Sequence, residues 1–382
     1  MSVKPYMLGA IMPLPMFPVA FEASATLAHA IIGIAAGKGG VGKSCVTVNL
    51  ARALKDLGFK VGILDADIYG PSIRRMLPED KMPEQCDERI LPAICQGIKV
   101  ISMAYFRRDD EAAAIRAPIA NTIVQQFIKN VDWGEIDFLL IDFPPGTGDI
   151  QLTLSQNAQL NAAILVTTPQ EVALMDVRKA MDLFYQMKIP ILGVIENMSY
   201  YQISPHLKPV YPFGQGGGGR LAKEAGLSLL AQIPISAEIS HSGDKGNSFF
   251  EEKTLAAQAI SKTFINLAKK MMEQLAAINK STTLGVEKFF QKDPATFTLQ
   301  WSDGLMADFY LSDLQRRCPC AGCIEKNVEN KVGDEKTHTD ELRASTIERV
   351  GHYALRIYFT SGCNQGLYTF SFLRQMAEEQ NS

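Results

Sequence analysis

Several things are scarce in this sequence, and each scarcity excludes something. Positive charge is not in excess: 38 lysines and arginines face 41 aspartates and glutamates, a net charge of −3. No bulk basic field therefore calls for a nucleic-acid partner. No stretch reaches about eighteen uncharged apolar residues in a row, so no membrane span is expected. Cysteines are few and uneven. Of the seven, Cys45, Cys86 and Cys95 are scattered, whereas Cys318, Cys320 and Cys323 sit together and Cys363 follows later. An odd, scattered set is not a disulfide framework. It fits a reducing, cytoplasmic compartment with a metal cluster towards the C-terminus. Internal repeats are missing too.

What is present is apolar and periodic. Apolar residues make up 47% of 382 residues, enough for two or three domains with substantial cores. Residues 1–29 are apolar but broken by Pro13, Pro15 and Pro18, with Lys4 as the one lysine or arginine. That stretch is expected to be a leader or the remnant of an N-terminal domain, not a signal peptide. From Ala30 onward, short Val/Ile/Leu runs alternate with amphipathic stretches: "AIIGIA", "KVGILDAD", "IDFLLIDFPP", "NAAILVTTP", "PILGVIEN" and "LLAQIPI". Continuous apolar runs predict strands covered on both faces, hence an α/β domain with a mostly parallel sheet and helices on both faces. The run Gly216–Gly219 reads as a loop before the helix "RLAKEAG", and "KTLAAQAISKTFINLAKKMMEQLAAI" as a long helix. Beyond it, "TFTLQWSDG", "ADFYLSDLQRR" and "HYALRIYFTSG" read as strands of a small second domain. The expected boundaries are 30–278 for the first domain, 279–290 for a linker and 291–382 for the second domain.

The sharpest motif is "GKGGVGKS", Gly37–Ser44, which fits G-x-x-x-x-G-K-[ST] between a strand and a helix. Its residues Gly37, Lys38, Gly39, Gly40, Val41, Gly42, Lys43 and Ser44, with Cys45 next, are the expected nucleotide-binding set. Glycines let backbone N–H groups turn inward onto phosphate oxygens, and the helix N-terminus adds partial positive charge. Lys43 reaches the β- and γ-phosphates of ATP, and the Ser44 hydroxyl takes a Mg²⁺ position. Lys38 is one lysine more than phosphate cradling needs; it faces either solvent or a partner subunit's phosphates. Asp142, at the end of a hydrophobic strand, is placed to hold Mg²⁺ through water. Asp65 and Asp67 follow another strand, and Asp67 is the favoured residue for orienting an attacking water.

"GKGGVGKS", "DADIYGPS", "RAPIANTIVQQFIKNVDWGEIDFLLIDFPPGTGDIQLTL" and "GVIENMS" together resemble the Mrp/ApbC family of iron–sulfur cluster carrier ATPases. That family belongs to the deviant-Walker-A P-loop group of ParA, MinD and the nitrogenase iron proteins. The resemblance spans about residues 30–275. It implies a P-loop NTPase fold, a homodimer with Lys38 acting across it, Asp67 in switch I, Asp142–Gly146 in switch II, and Asn197 against the adenine. It also implies slow ATP hydrolysis and transfer of clusters to apoprotein recipients, with scaffold proteins as further partners. "WSDGLMADFYLSDLQRRCPCAGCIEK" and "HYALRIYFTSGCNQGLYTFSFLR" resemble the DUF971 domain, also found at the N-terminus of γ-butyrobetaine hydroxylase. There, three cysteines in C-x-C-x-x-C and a later histidine bind a metal, usually zinc.

One departure matters. The carrier family writes C-P-x-C after E-N-M-S and holds a bridging [4Fe–4S] cluster with those thiolates. Here the letters are Ser204-Pro205-His206-Leu207, and a leucine cannot ligate, so that bridging site is expected to be lost. Cys318, Cys320, Cys323 and Cys363, the last standing where the second family has its histidine, would make a four-thiolate set for an iron–sulfur cluster or zinc. The expectation is an ATP-dependent iron–sulfur carrier. The alternatives are a MinD/ParA-like positioning switch, disfavoured by the acidic, polar C-terminus "FSFLRQMAEEQNS", and a degenerate carrier with a structural zinc module.

Overall fold

A computed structural model describes residues 27–106, 117–146, 148–203, 207–283, 286–319, 343–350, 354–360 and 366–380. The chain divides into two compact units, Met1–Asn161 with Ser236–Ile265, and Ala162–Ile235 with Asn266–Ser382. In the first unit, β1 (Leu27–Ala35), α1 (Lys43–Asp56), β2 (Val61–Asp65) and α2 (Ile73–Met76) lead to a hairpin of β3 (Glu84–Cys86) and β4 (Arg89–Leu91). Then come β5 (Ala93–Cys95), β6 (Ile98–Ser102), α3 (Ala117–Asn130), β7 (Glu135–Asp142) and α4 (Asp149–Asn157). The strand order in this unit is β1-β7-β2-β6-β5. All pairings are parallel except β5 with β6. β2 is buried at every position, as its Val-Gly-Ile-Leu-Asp sequence requires of a strand with both faces covered.

The topology puts functional residues at one end. β7 runs between β1 and β2, so the carboxyl ends of all three strands lie side by side: Ile34 pairs with Asp142, and Asp65 pairs with Asp142. Ligands of open α/β sheets bind beyond the carboxyl ends of the strands. α1 stops where the sequence says it should. Leu57 closes its last turn and Gly58 takes φ 93°, the left-handed geometry that glycine supplies after a helix. At the far edge, β5 is three residues long, and Lys81 makes an isolated antiparallel bridge with Ile94 on its outer side.

The second unit opens with β8 (Ala162–Thr167), α5 (Glu171–Gln186), β9 (Ile191–Glu196), α6 (Gly217–Glu224) and β10 (Leu229–Gln232). Its strands pair in parallel in the order β10-β9-β8, and β8 and β9 are buried throughout. α7 (Ala237–Lys245) belongs to the first unit, and α8 (Leu255–Thr283) follows it. Next come β11 (Val286–Asp293), β12 (Thr296–Trp301), β13 (Met306–Tyr310), α9 (Leu311–Arg316), β14 (Ala344–Val350), β15 (Ala354–Phe359), β16 (Leu367–Thr369) and α10 (Phe370–Gln380). They form two antiparallel three-stranded sheets around a core that includes Phe297, Trp301, Phe309, Leu355, Tyr368 and Phe370.

Three details differ from the sequence reading. The glycine run is not a loop: Gly217–Gly219 are the first turn of α6, because a Cβ on Gly217 would stand 2.2 Å from the Pro169 carbonyl oxygen and only glycine lets the helix come that close. The stretch read as a linker is largely ordered secondary structure, with α8 reaching Thr283 and β11 starting at Val286. "ADFYLSDLQRR" is a strand only to Tyr310; Leu311 and Leu314, three apart and both buried, turn the rest into α9.

Candidate functional site

The phosphate loop joins β1 to α1. Gly40 and Gly42 take φ of 80° and 81°, left-handed values that a side chain makes costly. Val41 between them is buried and anchors the loop. Gly42 is the N-cap of α1, and its carbonyl accepts the first helical hydrogen bond, from Val46 N–H, at 3.0 Å. The loop borders a cavity of about 330 Å³ whose lining includes Lys38, Gly39, Gly40, Gly42, Lys43, Ser44, Cys45, Asp67 and Pro145, but not Gly37. Free N–H groups at a helix N-terminus and a lysine converging on one concavity make a site for phosphate oxygens.

Beneath the loop lies a buried polar cluster. Asp142 is fully buried and accepts from the Ser44 hydroxyl at 2.6 Å and the Thr47 hydroxyl at 2.8 Å. Its Oδ2 also lies 2.8 Å from Lys43 Nζ, whose side chain is 7% exposed. Thr47 was not singled out from the sequence. It sits one helical turn after Lys43, and that spacing is the signal that places both on one face. Ser44 and Asp142, two hard oxygen donors in contact, have the donor chemistry Mg²⁺ takes.

Asp65 and Asp67 take different parts. Asp65 is buried and accepts from the Ser102 hydroxyl at 2.8 Å and from Asp67 N–H at 3.2 Å. Burial, and then the neighbouring Asp142 charge, raise its carboxyl to about 8. Asp67 is half-buried and faces the cavity, its carboxylate accepting from Gly70 N–H at 3.1 Å. Cys45 lines the same cavity, and burial pushes its thiol up to about 11. Arg52, also unanticipated, is buried on α1 and donates to Ser242 Oγ at 3.2 Å and to Met76 O at 3.0 Å, tying α1 to α7 and to the end of α2.

Asn197 belongs to the second unit. It follows β9, is 7% exposed, and its N–H donates to Thr167 O at 2.8 Å. Leu207 is exposed, while Ser204, Pro205 and His206 lie outside the described residues. Of the thiols expected to hold a metal, Cys318 is described and buried; Cys320, Cys323 and Cys363 lie outside the described residues. A Cβ on Gly366 would stand 2.8 Å from Cys318 Sγ, so the thiol packs against the chain three residues beyond Cys363. Among the described residues, no group of three or more histidines, cysteines or acids could hold a metal ion.

Comparison with known proteins places this geometry. Residues 28–272 match the ParA family model, described as NUBPL iron-transfer P-loop NTPase. The chain belongs to that family. Residues 289–374 match the γ-butyrobetaine hydroxylase-like N-terminal domain. The iron–sulfur cluster carrier protein of Aquifex aeolicus is 41% identical over 246 residues, 64% of this chain and 67% of that protein. The chloroplastic Fe–S cluster assembly factor HCF101 of Arabidopsis thaliana is 35% identical over 344 residues, 88% of this chain and 62% of its own length. The chain thus spans about two thirds of the curated relatives it matches. A nucleotide-binding protein of Archaeoglobus fulgidus, solved in complex with ADP, superposes with a TM-score of 0.52 at 37% identity, covering 60% of this chain and 90% of its own. Both parts of this P-loop NTPase chain therefore have relatives, and HCF101 is matched across both. Among its described residues no helix is long and apolar enough to cross a membrane.

Proposed function

We propose that this chain is an ATP-driven carrier of iron–sulfur clusters that delivers them to apoproteins. The observation that carries the reading is the buried contact of Lys43 and Ser44 with Asp142 below a glycine-lined phosphate cradle, in a chain whose relatives are named as cluster carriers. ATP binds with its phosphates on the loop N–H groups and Lys43, whose ammonium exchanges the Asp142 carboxylate for phosphate oxygens. Ser44 and Asp142 would hold Mg²⁺, which supplies charge neutralisation at the phosphates. Asp67, facing the cavity, orients the attacking water. Lys38 serves the partner subunit's nucleotide in a homodimer, and Asn197 meets the adenine. The compartment proposed is the cytoplasm.

The cluster is cargo. With Leu207 in place of a cysteine, we assign its holding to Cys318, Cys320, Cys323 and Cys363, supported by the packing of Cys318 against Gly366. A second reading, zinc on the same four thiols, draws support from the burial of Cys318, which suits a closed structural site. Anaerobic reconstitution with iron and sulfide, followed by incubation with an apo-acceptor and ATP, is the test. Coloured protein that activates the acceptor is the expected result. Colourless protein that binds stoichiometric zinc and transfers nothing refutes the carrier role.

A further inference from the structure

Arg52 is buried on α1, and its guanidinium donates to neutral acceptors on four pieces of chain. Nη1 donates to Asn49 Oδ1 at 3.3 Å and to Ser242 Oγ at 3.2 Å, Nη2 to Met76 O at 3.0 Å, and Nε to Gln96 Oε1 at 3.3 Å. All five residues belong to the first unit. Burial lowers the guanidinium to about 10. Taking a charge out of water to meet neutral partners is expensive, and filling space alone calls for a leucine or methionine there. What the fork gains is a junction. It joins α1 to the end of α2, to the β5–β6 turn and to α7. Three of its acceptors are themselves held: Asn49 Nδ2 donates to Cys45 O at 2.9 Å, Gln96 Nε2 to Gly246 O at 2.7 Å, and Ser242 Oγ to Asn247 O at 2.6 Å.

The fourth acceptor, Met76 O, ends a segment that bears on the site. Asp67, Ser72 and Met76 all line the cavity beside the phosphate loop, so residues 67–76 form one of its walls. That wall has little internal support. Its helix, α2, is four residues long, and the N-cap Ser72 makes no side-chain cap bond. A single helical turn does not hold itself. Arg74 fastens it to the chain beyond β6, donating to Ala104 O at 2.8 Å, and to Glu79 at 2.6 Å. Arg52 fastens it to α1, whose first turn carries Lys43 and Ser44. Met76 O is one of the carbonyls that a helix end leaves without an internal partner.

We propose that Arg52 is a positioning residue for ATP hydrolysis: it fixes the Asp67–Met76 wall against the helix that carries Lys43 and Ser44, and so sets the distance from Asp67 to the phosphate loop. This rests on the reading of Asp67 as the residue that orients the attacking water. Without the guanidinium the wall is free to shift while the loop that grips the phosphates keeps its own geometry. Turnover therefore suffers and nucleotide binding does not.

The test is steady-state ATPase kinetics and ADP titration calorimetry on the full chain, for wild type, Arg52→Met, Arg52→Lys, Asp67→Asn and the doubly substituted chain. In Arg52→Met, kcat per ADP-binding site is expected to fall about ten- to a hundredfold, the cost of an ångström of misplacement, with KM and the ADP Kd within about twofold of wild type. Arg52→Lys can still reach Met76 O but lacks the fork, so its kcat falls by less. It carries the test if Arg52→Met does not fold, and an unchanged kcat in it then overturns the proposal. Fewer ADP-binding sites with unchanged kcat per site would mean a purely structural arginine and overturns it as well. So does ADP binding that weakens as much as kcat falls. The double variant, built on whichever Arg52 substitution folds, is expected to be no slower than Asp67→Asn, since Arg52 acts through that residue. Losses that multiply overturn the positioning role and leave Asp67 its own. Wild-type kcat in Asp67→Asn sinks the reading of Asp67 on which the proposal rests.

Discussion

Replacing Asp142 by asparagine should weaken the fold while improving its hold on nucleotide in the absence of Mg²⁺. Asp142 is fully buried, and Lys43, 2.8 Å away, has a side chain only 7% exposed. Removing one member of such a pair leaves an uncompensated buried charge, which costs about 3–5 kcal/mol. Asparagine keeps an oxygen for the Ser44 or Thr47 hydroxyl, so the lower end applies, ~3 kcal/mol. For a domain of this size that lowers Tm by roughly 6–12 °C. The triphosphate has the opposite preference. In the wild type it must draw Lys43 away from Asp142; in the variant the ammonium has already lost that partner. If half the penalty is relieved on binding, affinity for ATP in EDTA rises on the order of tenfold. The Mg²⁺-dependent gain shrinks, because of the two side chains that would meet the ion only Ser44 keeps its oxygen donor unchanged. Scanning calorimetry without nucleotide and titration calorimetry in EDTA read the two effects. An unchanged melting curve, or weaker Mg²⁺-free binding by the variant, refutes the reasoning.

Asp65 holds its proton in the fold up to about 8, whereas an unfolded aspartate ionises near 4, so folding takes up a proton between those values and stability falls as pH rises through that window. Asp65→Asn should flatten that fall, which urea unfolding at about pH 5 and about pH 8.5 would reveal as a smaller difference than in wild type. Gly217→Ala forces a methyl against the Pro169 carbonyl oxygen at 2.2 Å and should cost ~2 kcal/mol or more by chemical denaturation; Gly219→Ala, whose nearest neighbour is a Leu229 side-chain atom at 3.7 Å, is the tolerated control. Cys318→Ser should lower the iron and sulfide, or the zinc, of anaerobically purified protein, read by metal and sulfide analysis; unchanged content removes Cys318 from the ligand set.

The sequence made the central strands legible because parallel, doubly covered strands are written as unbroken Val/Ile/Leu runs; β2 and β8 to β10 fall within the quoted segments, and β7 begins one residue before its own. It hid β5 and the β3–β4 hairpin, whose three-residue strands are too short to show a period. It also hid β11, where exposed Phe289 and Phe290 alternate with nothing, so no amphipathic pattern marks the strand. At the site, the glycines and Lys43 could be read because chemistry fixes their spacing. Asp142 could be read because a carboxylate ending an apolar run has few other reasons to be there. Thr47 and Ser102 could not, since a hydroxyl's partner is set by which strands and helices the fold brings alongside it. The burial of Glu196 could not be read for a related reason: it accepts from Gly218 N–H because α6 begins inside the glycine run, which the sequence presents as a turn.

The short terminal strand β5 has a consequence for assembly. With only three residues, antiparallel to its neighbour, and with Lys81 bridged to Ile94 along its outside, that margin offers a second molecule almost no open backbone to add to. Copies of this protein cannot lengthen one another's sheet from that side into a filament. Any contact between copies along that margin must be made through side chains, loops or helical faces, which can form and part without unravelling a strand.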